Sequence, residues 1–326
     1  MSLTAAPSTT TLPDTRQGRE LTQQALEQLA TPEGWRSWLA VRAAMPQLSL
    51  PNQLLVAYQH PQATHLATFR TWLNRGYGVR RRPEDVPEGQ YAVRVWEPKP
   101  PSRAQLAQWR AAGSDPGLYP QTVFRLTNEF AQDQVAPADG VAQRVSLDPV
   151  VRDLAGEDLA PVLSALLARV MELKADHATE LARLEAAFDQ AGGRGVELAE
   201  RIDRLRADLE DLARHTLGPI TAAPAVPANL AVTRLCRAAA HLLVSAEPAQ
   251  ADSPPPVDAC ATAAAVAWVC IRGLGLDPDA LDVTNGSTPA TTAMPLVPLR
   301  TATVVDRLAR RLETAARHDI ATAQAA

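Results

Sequence analysis

Tyr91-Ala92-Val93-Arg94-Val95-Trp96 decides the fold. Tyr91, Val93 and Val95 alternate with Ala92, Arg94 and Trp96, the two-residue period of a strand with one buried face. Residues 77–80 and 121–130 read as further strands. Between the first two, residues 81–90 hold Pro83, Pro87 and Gly89, so they form a loop. Helices surround this sheet. Residues 17–30 carry Leu21, Ala25, Leu26 and Leu29 at helical spacing. Thr31-Pro32-Glu33 supplies a cap and a first-turn proline for a helix over 33–44. Pro51 starts a third helix, with Leu54, Leu55 and Tyr58 on its apolar face, and His60-Pro61 stops it. Residues 63–74 read as a fourth helix, ended by Gly76, and 102–112 as a fifth, opened by a serine cap. The expectation is a small α+β domain, an antiparallel sheet with helices, over 31–135.

Further along, the pattern turns helical. Residues 1–30 are a disordered lead and a short helix, and 136–157 are a linker by composition. Two long amphipathic helices, 158–190 and 196–217, are joined by Gly192-Gly193-Arg194-Gly195. So short a joint forces an antiparallel helical hairpin over 158–217. Leu163, Leu166, Leu167, Val170 and Leu173 make one stripe; Leu198, Ile202, Leu205, Leu209 and Leu212 make the other. Their charged faces are expected to meet solvent. Residues 228–326 hold two apolar helices, over 230–244 and 258–274, and a last helix over 301–321. This C-terminal region is therefore expected to be mostly α.

Composition narrows the class. Cys236, Cys260 and Cys270 lack metal-site spacing, which fits reduced thiols in a cytoplasmic protein. No basic-then-apolar leader opens the chain, and no stretch is apolar enough to span a bilayer, so no membrane partner is expected. Charge is uneven. Residues 36–110 hold eleven Arg or Lys against four acids, a net +7, in a chain of net charge −4. Residues 31–134 also hold five of the six Trp and all four Tyr. Cations for phosphates and flat rings for unpaired bases are what a single-stranded nucleic acid requires.

For any single tryptophan, burial is the ordinary fate. Trp35, Trp38 and Phe69 are expected in the core. Arg80-Arg81-Arg82 sits beside Tyr77 in a loop, where three like charges repel unless an anion joins them. A phosphate contact and a merely solvated loop both fit. Arg42, Arg70, Arg94, Trp96, Lys99 and Arg103 extend the candidate nucleic-acid site.

Five segments carry a family resemblance: Pro32-Glu33-Gly34-Trp35 with Trp38-Leu39, Leu48-Ser49-Leu50-Pro51-Asn52-Gln53-Leu54-Leu55, Phe69-Arg70-Thr71-Trp72-Leu73, Val93-Arg94-Val95-Trp96-Glu97-Pro98, and Phe124-Arg125-Leu126 with Phe130. Together they resemble the N-terminal domain of the ArdC-like antirestriction proteins, over about residues 31–134. The resemblance implies single-stranded DNA as ligand, and it puts Ser49, Asn52 and Gln53 in the family's polar motif. An Asn-Gln pair there either caps the helix or offers amides to a base or phosphate.

The resemblance continues into a zinc-protease-like half, but without its chemistry. In the family a helix carries H-E-x-x-H, two His binding zinc and a Glu acting as base. Here Arg237-Ala238-Ala239-Ala240-His241 stands in its place, and Ala264 stands where the later acidic ligand falls. One imidazole cannot hold a catalytic zinc, which needs three protein ligands. No catalytic residue, metal or cofactor is expected, and His241 reads as a core or interface histidine. The resulting expectation is a non-catalytic, antirestriction-like single-stranded DNA-binding protein. Its C-terminal helices would serve as scaffold or as a contact surface for a restriction enzyme or other protein. Two alternatives stand beside it. One is a divergent zinc metallohydrolase in which other ligands join His241. The other is a helical interaction protein built on the hairpin.

Overall fold

The computed structural model describes residues 13–81, 83–84, 86, 91–138, 160–218, 228–246, 259–276, 295 and 297–325. In chain order the helices are α1 (Pro13–Leu29), α2 (Pro32–Ala44), α3 (Leu50–Gln59), α4 (Phe69–Asn74), α5 (Arg103–Ala111), α6 (Ala160–Gln190), α7 (Val196–Asp211), α8 (Ala228–Ser245), α9 (Ala259–Gly273) and α10 (Pro298–Ala325). The strands are β1 (Leu66–Ala67), β2 (Tyr77–Val79), β3 (Val93–Lys99), β4 (Val123–Ala131) and β5 (Val135–Pro137). A small antiparallel sheet with helices is thus followed by a mostly helical C-terminal region. The chain packs as two compact units. One is Met1–Leu29 with Pro51–Leu147; the other is Ala30–Leu50 with Asp148–Ala326.

All the strands lie in the first unit. β1, β4 and β3 form a sheet in that order, and β2 pairs with β5. All three pairings are antiparallel; β3 and β4 run from Val93 opposite Glu129 to Lys99 opposite Val123. The alternation that marks β3 as a strand also sets its burial: Val93 and Val95 are buried, Arg94 and Trp96 half-buried.

Two expectations fail in this unit. Residues 63–74 are not one helix. Leu66 and Ala67 pair with Phe130 and Ala131 as β1, and Thr68 then caps α4 by accepting from the Thr71 amide at 3.2 Å. That local cap competes with helix upstream of it. Phe69 is consequently not core but 51 % exposed. A helical side chain covers the turn before its own Cα, and α4 has no turn before Phe69. Trp72 alone points inward, its indole N–H donating to the Phe130 carbonyl at 2.8 Å. The second is β5, whose last two residues, Ala136 and Pro137, fall at the head of the segment read as linker.

The second unit takes α2 from the early part of the chain, although the sequence pattern groups it with residues 31–135. Thr31 caps α2 through the Gly34 amide at 3.0 Å, with Pro32 in its first turn. Trp35 and Trp38 are buried there, ring centroids 5.1 Å apart. α2 packs on α9, and α6, α8, α9 and α10 pack on one another. The hairpin of α6 and α7 forms as expected. Gly192, Gly193 and Gly195 all take positive φ at its turn, a conformation that a Cβ would oppose. Leu184, Ile202 and Leu205 seal the hairpin near that turn. Its charged faces do more than meet solvent. Arg201 reaches Glu180 at 3.0 Å and Arg206 reaches Glu185 at 2.7 Å, both from α7 to α6.

Candidate nucleic-acid interface

Beyond Glu97 on β3 and Arg125 on β4, the two strands leave the core. Residues 97–125 form an arm: the paired strand ends, α5, and a short turn at Pro116–Leu118. No residue of α5 or of that turn is buried. The arm is held by its own polar chemistry. Ser102 and Gln105 make a reciprocal capping box, the Ser102 amide donating to Gln105 Oε1 at 2.8 Å. The Trp109 indole donates to the Asp115 carbonyl at 2.7 Å, and its ring meets Tyr119 edge-on at 5.0 Å. Arg125 pairs with Glu97 at 3.2 Å.

What this scaffold presents is apolar and cationic together. Leu118 is 68 %, Phe124 58 %, Val123 53 % and Tyr119 50 % exposed. Lys99, Arg103 and Arg110 are exposed on the same arm. None of these three has an ion pair among the described residues.

The remaining candidate residues are dispersed. Arg42 is a correction: it is fully buried in the second unit and reaches no surface. Its guanidinium binds Asp306, and it forks onto both oxygens of Glu313 at 3.0 and 3.2 Å. α10 presents these carboxylates seven residues apart, so they share a face. Gln53 is also fully buried, and Ser49 is exposed. Asn52 neither caps α3 nor faces outward. Its amide donates to the Trp96 carbonyl at 2.9 Å and accepts from the Trp96 amide at 2.8 Å. Gln59, two turns later, does the same for Arg94 at 2.9 and 3.0 Å. The two amides stand in for a missing strand along the β3 edge, and Pro98, the next outward residue, has no N–H to satisfy. The sequence reading missed Gln59. Its seven-residue spacing from Asn52 was the available signal.

Trp96 is spent on packing. Its indole donates to Thr22 Oγ1 at 3.2 Å and lies so close to α1 that a Cβ on Gly18 would sit 2.2 Å from the ring. Tyr77 is half-buried, edge-on to Trp72 at 5.9 Å. Arg80 is exposed, with its Nε donating to the Val135 carbonyl at 3.0 Å. Arg81 is exposed and Arg82 lies outside the described residues. Arg70 is exposed on α4 beside Phe69, and Arg94 is half-buried. Of the candidate residues, then, the arm gathers Lys99 and Arg103. It adds Arg110, Tyr119 and Phe124, which the candidate set lacked.

His241 lies on α8 and bonds Asp208 of α7 at 2.9 Å. The Asp208 hydrogen bond is the main reason its pKa is raised. The residues on α8 do not fit a catalytic zinc: Arg237 and Ala238, in the turn before His241, are a cation and an apolar side chain and offer no ligand. Among the described residues no three His, Cys, Asp or Glu are grouped to hold a metal. Among them, too, no helix is long and apolar enough to cross a membrane. No family model matches the chain, and no curated protein or solved structure does either.

Proposed function

We propose that the protein binds single-stranded nucleic acid, DNA by the ArdC-like pattern, through the arm of residues 97–125. One observation carries the reading: one arm, whose helix buries no residue, exposes both the rings of Tyr119 and Phe124 and the cations of Lys99, Arg103 and Arg110. Unpaired bases stack on such rings irrespective of sequence, and the cations meet the phosphates. Fluorescence anisotropy with a labelled oligo(dT) tests this. Binding weakens with salt, and replacing Lys99, Arg103 and Arg110 by Ala lowers the log–log salt slope by about 2, at about 0.7 per single-strand phosphate contact. Phe124→Ala with Tyr119→Ala weakens binding at every salt concentration. Equal affinity for duplex, or no binding at low salt, removes the proposal.

The same resemblance makes antirestriction the setting, with the helices of the second unit as the surface met by a restriction enzyme or other protein. A plasmid digest in the presence of the protein tests that setting. Unchanged cleavage at saturating protein counts against it and leaves strand binding as it stands.

A further inference from the structure

Register fixes which side chains share a face of the ribbon made by β3 and β4. Trp96 stands opposite Leu126, and Pro98 opposite Phe124. Cross-strand partners and residues two apart point the same way, so these four form one apolar strip. Its outer end is open: Pro98 and Phe124 are exposed. Its inner end is covered by α1, which packs on β4 and takes the Trp96 ring against Gly18. Two residues of strand span about 7 Å, so the open and covered ends are immediate neighbours.

The hold of α1 on this strip is uneven. Its rear half is anchored. Ala25 and Leu29 are buried, and the Tyr58 hydroxyl of α3 donates to Gln24 at 3.2 Å. Over residues 16–22 the one buried residue is Gly18, which has no side chain to bury; Leu21 and Thr22 are half-buried. The Thr22 hydroxyl donates to the Gly18 carbonyl at 2.7 Å and accepts from the Trp96 indole at 3.2 Å, which ties this half to the sheet. A segment with few buried apolar groups opens at low cost, and lids are drawn from such segments. The front half is also the end nearer the arm. Gln24 is tied to Tyr58, next to the Gln59 that binds Arg94, whereas Gly18 meets Trp96, two residues further out along β3.

We propose that the front half of α1 is a lid on the strand-binding face. An unpaired strand held by the arm lifts it from the sheet, and the Trp96 indole receives the base that follows those on Tyr119 and Phe124. The inference rests on the arm being the strand-binding site, as proposed above. A short strand meets the open rings alone; a strand that runs past Phe124 displaces α1 and gains a third ring. The lid thereby makes tight binding depend on strand length.

Hydrogen exchange of the full chain, with and without saturating long oligo(dT), tests the lid. On binding, amides of the arm slow, while those of residues 18–22 lose protection. In Gly18→Ala the added methyl favours the helix itself but strikes the Trp96 ring, so the lid stands open and affinity for long oligo(dT) rises. Trp96→Leu lowers that affinity about tenfold, the scale of one stacked base. Arm amides that slow while residues 18–22 keep or gain protection overturn the lid and leave the arm as the binding site. Unchanged or weaker binding by a folded Gly18→Ala does the same. No binding of oligo(dT) at low salt removes the proposed function, and the lid with it. The exchange comparison uses the unaltered chain, so it decides the matter even where a variant fails to fold.

Discussion

Asn52 and His241 show what single residues decide. The Asn52 amide meets both outward backbone groups of Trp96, so Asn52→Ala leaves an N–H and a C=O of β3 without their partner. That loss costs about 1–3 kcal/mol in denaturant unfolding, while oligonucleotide affinity of the folded variant stays unchanged, since the arm is untouched. An affinity lost in proportion to arm variants would instead return Asn52 to the ligand. His241 and Asp208 make a pH-dependent pair. Asp208 is held below its ordinary pKa despite its burial, by hydrogen bonds from His241 and Ser245, and His241 is raised by Asp208. The carboxylate contributes stability above about pH 4 and loses it as pH falls through its depressed folded value. The imidazole contributes fully below about pH 6.5 and loses it as pH rises through its raised folded value. The melting temperature of the protein, less that of His241→Gln, is therefore greatest between those limits and falls on the alkaline side. A difference independent of pH contradicts the pair.

At the level of elements, the arm is separable. Lys99 stands opposite Val123, so replacing residues 100–122 by Asn-Gly closes β3 onto β4 with a two-residue turn. Circular dichroism should show a folded protein, because α5 buries nothing, and anisotropy should show oligonucleotide binding lost. Retained binding would move the interface to Arg70, Arg80 and Arg81. The elements with a strong local period, β3 and the α6–α7 hairpin, were legible in the sequence, as were the caps at Thr31 and Ser102. β1 and β5 were not. Two or three residues carry no period, and their partners lie far along the chain. The candidate site was half legible for a related reason. Cations cluster in sequence, but the fate of each depends on partners elsewhere; nothing near Arg42 announces two carboxylates on α10. Exposure of Tyr119 and Phe124 follows from the strands outrunning the core, which composition does not record.

Across the whole molecule, the chain leaves the first unit after Leu29, contributes residues 30–50 to the second, and returns at Pro51. Arg42 is the polar anchor of that contribution. Arg42→Met leaves Asp306 and Glu313 buried without their cation, and equilibrium unfolding should show a loss of about 3–5 kcal/mol. A neutral result would mean the carboxylates find another cation, with Arg310, already on Asp306, the nearest candidate. The threading also has a temporal side. During synthesis Trp35 and Trp38 leave the ribosome more than two hundred residues before α9, the helix on which α2 packs, since α9 begins only at Ala259. Until then α2 is a greasy orphan, vulnerable to proteases and to chance association. A nascent chain arrested before α6 should accordingly recruit holdase chaperones at its α2 segment, and release them once the later helices have been translated.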